Sequence, residues 1–279
     1  MFEFIEGCDL AVVIGARLPY RATVGVGLKL PQNLIHIDID NAVFGKNFKP
    51  AVAITGDARE ILGQMNHALE GKNAAKSESF AREVAELRRR IRQALWDAGP
   101  NQQRVMEAIR DVIDRDAIIV ADPTAPAYWA TRGMQCYEPR TYLSPHGWGG
   151  IGFAFPAALG AKTARPDRQV VVISGDGGFQ FNLQELGTAA QYGIKVVVLL
   201  FNDGAWGVLH DRQRDYFGGR YYASSLKNPD FVKLADSYGL AATHVHNCKE
   251  MSAALQDALM KDEFRLIEVD MHQGFAHFV

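Results

Sequence analysis

Cysteine is scarce in this chain. There are three in 279 residues, Cys8, Cys136 and Cys248, far apart and odd in number. A disulfide framework or a cysteine zinc site is therefore not expected, and the usage fits a reducing, cytoplasmic compartment. Charge excess is lacking too: 30 lysines and arginines stand against 32 aspartates and glutamates, a formal net charge of −2. That balance gives no electrostatic reason to expect nucleic acid or an acidic membrane as partner. No apolar run is long enough to span a bilayer, and the first residues do not read as a signal peptide. Repeats and low-complexity tracts are missing as well. What is present is an ordinary globular composition, 48% hydrophobic and 22% charged, long enough for one large domain or two smaller ones.

Hydrophobic patterning divides the chain. Strands are expected at 10–14, 34–38 and 52–55, followed by a helix at 58–69. A polar stretch then leads into a charged amphipathic helix at 80–96. A helix at 101–114 opens the remainder, where strands and helices alternate: a strand at 117–121, helices at 152–163 and 231–238, and a last strand at 266–270. Alternation of this kind predicts an α/β fold with a doubly wound parallel sheet. The expected domains are 1–75, a partial Rossmann-like α/β unit; 76–100, a linker helix; and 101–279. Three strands and one long helix make a poor independent core with an exposed edge.

The most informative stretch lies in the last of these. Val170-Val171-Val172-Ile173 reads as a buried strand and runs into Gly175-Asp176-Gly177-Gly178. A helix is expected at 182–192. A second buried strand, Lys195 to Phe201, runs into Asn202-Asp203-Gly204. This is one βαβ unit, and parallel strands bring both loops to the same sheet edge. The carboxylate of Asp176 and the oxygens of Asn202 and Asp203, the two aspartates 27 positions apart, can then face one crevice. Two hard oxygen ligands on neighbouring loops suit Mg²⁺, which is usually held by one or two protein groups plus phosphate oxygens. Glycines beside Asp176 expose backbone N–H groups and let a phosphate approach, and a helix N-terminus at the same edge favours an anion. The combination predicts a metal-bridged diphosphate. Each motif taken singly would be read as a tight turn.

These residues resemble the signature of thiamine-diphosphate enzymes: Gly-Asp-Gly, a helix and a strand, then Asn-Asn or Asn-Asp. The segment Gly147-Trp148-Gly149-Gly150-Ile151-Gly152-Phe153-Ala154-Phe155-Pro156 looks like the part of that family that cradles the aminopyrimidine and thiazolium. Asn33 to Asp40, Phe217 to Tyr221 and Asn228 to Val232 look like acetolactate synthase and its relatives. The resemblance implies a thiamine-diphosphate-binding fold and a lyase or transferase acting on 2-oxo acids. The reaction would be decarboxylation, carboligation or both: addition to the ketone carbon, loss of CO₂, then protonation or condensation with a second carbonyl. It also implies roles. Asp176 and Asp203 would hold magnesium through their carboxylates and Ala205 through its carbonyl. Gly175, Gly177 and Gly178 would border the diphosphate, with Thr124 at a further contact. Gly149 would accept from the aminopyrimidine, and Ile151 would wedge the cofactor into its bent shape.

The family also uses a glutamate from a pyrimidine-binding domain, usually on another subunit. No matching segment occurs here, so no catalytic glutamate is assigned. Glu185 reads as structural. The chain is expected to be the C-terminal half of a longer enzyme, or a subunit needing a pyrimidine-domain partner, in a homodimer or tetramer. Acetolactate synthase also holds a flavin, with acidic residues after a Gly-x-Arg. This chain has Leu18, Pro19 and Tyr20 after Gly15-Ala16-Arg17, so FAD is not expected.

Weaker signals complete the reading. Val12-Val13-Ile14-Gly15 with Asp38 and Asp40 resembles half of a dinucleotide site, but no Gly-x-Gly-x-x-Gly follows that strand, which speaks against a nicotinamide dehydrogenase. His210 and Arg212 follow the metal loop and are candidate substrate contacts, the guanidinium suiting the carboxylate of a 2-oxo acid. His146 lies near the cofactor loops. His244 and His246 share one face of a strand, with no further metal ligand evident in the sequence. The competing reading is a non-catalytic cofactor-binding or assembly subunit.

Overall fold

The computed structural model describes residues 2–72 and 78–271. The chain divides into two compact units, Met1–Ile91 and Arg92–Val279. The first contains α1 (Phe2–Glu6), β1 (Ala11–Ile14), β2 (Leu34–Asp38), β3 (Val52–Thr55), α2 (Ala58–Leu69) and most of α3 (Glu78–Ala98). Its strands form a parallel sheet in the order β1-β2-β3. The central strand is buried, whereas Val12, Ile14 and Val52 on the flanking strands are exposed. Among the described residues only Leu34, Ile37 and Val43 are buried hydrophobics in this unit. Asp57 starts α2 by accepting from the backbone N–H groups of Arg59 and Glu60, the usual way to satisfy donors that a first turn leaves open.

The second unit runs α4 (Pro100–Val112), β4 (Ile118–Ala121), α5 (Ala125–Gly133), β5 (Tyr142–Leu143), α6 (Ala154–Ala164), β6 (Val170–Gly175), α7 (Asp176–Gln180), α8 (Glu185–Tyr192), β7 (Val197–Asn202), α9 (Gly207–Tyr216), α10 (Phe231–Ser237), β8 (Ala241–Val245), α11 (Cys248–Lys261) and β9 (Arg265–Asp270). Its six strands are parallel, in the order β5-β4-β6-β7-β9-β8. Alternate residues of each strand face opposite sides. Val171, Ile173, Leu199 and Ile267 pack with α4, α5 and α11. Val170, Val172, Val198 and Leu266 pack with α6, α7, α8 and α10. A sheet covered on both faces needs apolar residues at every position, which is why its strands read as unbroken β-branched runs. This is the doubly wound α/β architecture.

The helix expected at 182–192 is α8, Glu185–Tyr192, and a separate short helix, α7, precedes it. The chain leaves β6 at Gly175, still extended at φ −92° and ψ 159°, and enters α7 at Asp176 itself. The helix start facing the sheet edge is thus Asp176-Gly177-Gly178, and α8 begins only at Glu185.

Candidate active site at the strand ends

Strand order fixes where a ligand can enter. After β4 the chain moves to β5 on one side, then crosses to β6 on the other. The loops following β4 and β6 therefore diverge, and a crevice opens at their carboxyl ends, the place where open α/β sheets bind ligands. A cavity of about 670 Å³ occupies this position. All nine residues expected at the cofactor site, from Thr124 to Ala205, line it.

Asp176 sits at its floor, 2% exposed. Its carboxylate accepts from Asn228 Nδ2 at 2.6 Å, and the backbone N–H groups of Gly177 and Gly204 also favour its charged form. Burial pushes its pKa up to about 6, and the negative charge of Asp203 pushes the same way against those donors. Two carboxylates from adjacent strands thus share one crevice, and their mutual cost is what a dication would remove. The Asp203 loop is tightly built. Asp203 Oδ1 accepts from Ala205 N at 3.1 Å, and a Cβ on Gly207 would collide with Asp203 Oδ2. Ala205 bridges to Ser225 through bonds from Trp206 N to Ser224 O and from Leu226 N to Gly204 O. That pattern uses the flanking residues and leaves the Ala205 carbonyl outside the pairing. The two Asp carboxylates and this carbonyl form a hard-oxygen set that fits Mg²⁺.

Asn202 and Asn228 tie the loops together. Asn228 Nδ2 also donates to Asn202 Oδ1 at 2.8 Å, Gly204 N donates to the same oxygen at 3.1 Å, and Asn202 Nδ2 donates to Glu268 Oε1 at 2.7 Å. Gln180 Nε2 completes the set by donating to Asn228 Oδ1 at 2.9 Å. Asn228 was visible in the sequence only as part of the Asn228-Pro229-Asp230 resemblance, and its contact with Asp176 spans 52 positions, beyond any local pattern.

The glycines are required by close approach. A Cβ on Gly175 would lie 2.8 Å from Thr124 Oγ1, one on Gly177 2.5 Å from the Trp206 indole, and one on Gly178 2.7 Å from Asp122 Oδ2. Asp122 is a residue whose importance the sequence did not reveal. It is buried, and it anchors the loop that carries Gly149 and Ile151. Its carboxylate accepts from Gly152 N at 3.2 Å, Ala154 N at 2.9 Å and Ser174 Oγ at 2.8 Å. Burial raises its pKa, while those donors pull it down. Gly149 and Gly152 both have positive φ, +74° and +83°, the region glycine enters without strain. Gly147 to Gly152 does spell Gly-x-Gly-x-x-Gly. It lies in the loop before α6, outside the first sheet, where the dinucleotide reading would need it.

The outer residues distribute unevenly. His210 lines the cavity, stacked on Tyr221 with ring centroids 3.8 Å apart. Arg212 is exposed and does not line it. On α9 the cavity side is taken by Asp211 and Arg214, three residues apart, and Arg214 donates to Asp211 Oδ1 at 2.8 Å. Arg212 falls between them on another face of the helix. His146 borders a smaller adjoining hollow, 3.4 Å from Thr131 Oγ1. Glu185 accepts from Thr188 within α8 and lies outside the cavity. Gln213 holds the following loop to α9 through Tyr222 and Ser224.

Comparison with known proteins agrees with this geometry. Residues 122–269 match the family described as thiamine pyrophosphate enzyme, C-terminal TPP binding domain, and residues 2–65 match its central domain. The probable acetolactate synthase large subunit of Methanocaldococcus jannaschii is 34% identical over 275 residues, which is 95% of this chain and 46% of that protein. The acetolactate synthase large subunit of Corynebacterium glutamicum is 36% identical over 271 residues, 91% of this chain and 42% of that protein. The chain therefore spans less than half the length of these relatives. The thiamine diphosphate-dependent 4-hydroxybenzoylformate decarboxylase of Rhodococcus jostii superposes with a TM-score of 0.72 at 26% identity, over 99% of this chain and 51% of that one. The chain belongs to the thiamine pyrophosphate enzyme family.

Proposed function

We propose that this chain supplies the magnesium and diphosphate half of a thiamine-diphosphate enzyme that decarboxylates or ligates 2-oxo acids. The observation that carries the reading is the pair Asp176 and Asp203 at the β4/β6 crevice, with Gly177 and Gly178 kept bare of side chains beside it. Asp176, Asp203 and the Ala205 carbonyl would hold Mg²⁺. Backbone N–H groups of Gly177 and Gly178 and the Thr124 hydroxyl would hold the diphosphate, helped by the start of α7. Ile151 and the Gly149 carbonyl would position the pyrimidine half. Once bound, thiamine diphosphate supplies a carbanion and an electron sink for the charge left by lost CO₂. The residues of this chain do the rest by orientation, which can lower a barrier by about 7–11 kcal/mol in favourable cases. His210 and Arg214, on the outer wall, face the space a 2-oxo acid would enter. Trp148 is 95% exposed and Tyr222 85%, which suits a surface covered by a pyrimidine-binding domain from another chain or subunit.

Calorimetric titration with thiamine diphosphate and MgCl₂ tests the reading, followed by pyruvate turnover with and without an added pyrimidine domain. Saturable, Mg²⁺-dependent binding that Asp203→Ala abolishes is expected. Equal binding with and without Mg²⁺, or none, would sink the proposal. Binding that no partner converts into turnover would favour a non-catalytic cofactor-holding subunit.

A further inference from the structure

The end of edge strand β8 carries a second constellation, none of whose residues lines the crevice. The strand runs parallel to β9 with His244 opposite Glu268 and Val245 opposite Val269. Side chains alternate along strands, so Val245, Ile267 and Val269 enter the core while His244, His246, Glu268 and Asp270 share the other face. The rings of His244 and His246 lie 4.7 Å apart. His244 Nε2 is 3.9 Å and His246 Nδ1 3.5 Å from Asp270 Oδ2. One donor atom from each of these three residues falls within 4.8 Å of the others, the one such group of three among the described residues. Donor atoms about 2.1 Å from a tetrahedral ion sit roughly 3.4 Å from one another; the 3.9 and 3.5 Å spacings to Asp270 are near that value, and an ion would draw the rest of the group in from within 4.8 Å.

Glu268 orients the set. Its side chain is buried, and Oε2 lies 3.2 Å from His244 Nδ1. A carboxylate there can accept from Nδ1–H, and Nε2, 3.9 Å from Asp270 Oδ2, is then the nitrogen that would bind a metal. This is the carboxylate–histidine–metal arrangement, in which an outer carboxylate fixes the ring and its tautomer. Glu250, the other nearby carboxylate, is used by His246 N and Asn247 Nδ2 at the start of α11. Both histidine side chains are partly exposed, 39% and 53%, which leaves an entry path and room for a water as a fourth ligand.

We propose that His244, His246 and Asp270 form a binding site for a divalent transition ion of the zinc class, with Glu268 as the positioning residue. Two imidazoles and one carboxylate select Zn²⁺, Co²⁺ or Ni²⁺ over Mg²⁺, so this site is separate from the oxygen-only set at Asp176. It also stands at one end of a hydrogen-bond chain. Glu268 Oε1 accepts from Asn202, Asn202 Oδ1 accepts from Asn228, and Asn228 donates to Asp176.

The test uses the full, tag-free chain stripped with chelator, titrated with ZnCl₂ in excess MgCl₂ and, separately, with CoCl₂. One equivalent of Zn²⁺ that Mg²⁺ does not displace is expected, together with the visible d–d absorption of four-coordinate Co²⁺. His244→Ala/His246→Ala should abolish the zinc equivalent. Glu268→Gln should weaken it about 10–100-fold, and Asp176→Asn should leave it intact. Absence of the Co²⁺ band in the unaltered chain overturns the proposal whether or not any variant folds. So does zinc retained undiminished by the double variant, or zinc lost on Asp176→Asn.

Discussion

Replacing Asp176 with asparagine should make the metal-free protein more stable while destroying the proposed metal site. The folded-state pKa of Asp176 is pushed up to about 6 from an ordinary value of 3.8. A raised carboxylate pKa means that the folded chain holds its proton where the unfolded chain has released it. Stability therefore falls as pH rises from about 4 to about 6, and the whole penalty is present above that window. A shift of about two units corresponds to roughly 3 kcal/mol. Asparagine carries no charge, and its carbonyl still accepts from Asn228, so the variant should recover about that amount at pH 8 and little at pH 4. The assay is urea unfolding in chelator followed by tryptophan fluorescence. All four tryptophans, Trp96, Trp129, Trp148 and Trp206, belong to the second unit, so the signal reports that unit alone. With a urea m-value of about 2–3 kcal/mol/M, the midpoint should rise by about 1 M at pH 8. Thiamine diphosphate with Mg²⁺ should stabilise the unaltered chain and leave the variant unmoved. A variant no more stable at pH 8, or equally stabilised at both pH values, would refute the reasoning.

Three further outcomes are expected. Gly177→Ala should cost about 1–3 kcal/mol in urea unfolding through overpacking, because its Cβ meets the Trp206 indole at 2.5 Å; adding Trp206→Leu should recover most of the loss. Asn228→Ala removes a donor that holds the Asp176 pKa down, so the pH at which Mg²⁺ binding is half lost should move upward, read by calorimetry across a pH series. With a partner-completed enzyme and an acidic substrate, Arg214→Ala should raise KM while Arg212→Ala leaves it unchanged, since only Arg214 lines the cavity; the reverse ranking would move the substrate to the other face of α9.

How much of this was legible in the chain depends on the range of each contact. β6 and β7 could be read because a strand buried on both faces must be apolar at every position, and Val170 to Ile173 and Val196 to Phe201 obey that locally. The Asp176 and Asp203 loops could be placed together because consecutive parallel strands bring their carboxyl ends to one edge. α11 was overlooked although its signals are local. Asn247 caps it by accepting from Glu250 N, and Met251, Leu255 and Ala258 follow at helical spacing. The insertion of β9 between β7 and β8 had no local signal, since pairing order is decided by how whole faces pack.

That insertion is what makes the remaining polar contacts unreadable from spacing. It sets Glu268 beside Asn202, 66 positions away, and Asp270 beside His246. A pair of histidines two apart at the end of an edge strand has no third ligand until the register of β8 against β9 is known. Then the period of two supplies Asp270 and Glu268 together, because residues 244 and 246 must face the same way as 268 and 270 once His244 lies opposite Glu268. The same register places Glu268 between the two polar clusters. One oxygen holds Asn202 at the crevice and the other faces His244. A buried carboxylate with a partner on each side is the physical reason that a polar residue can occupy the buried middle of this strand.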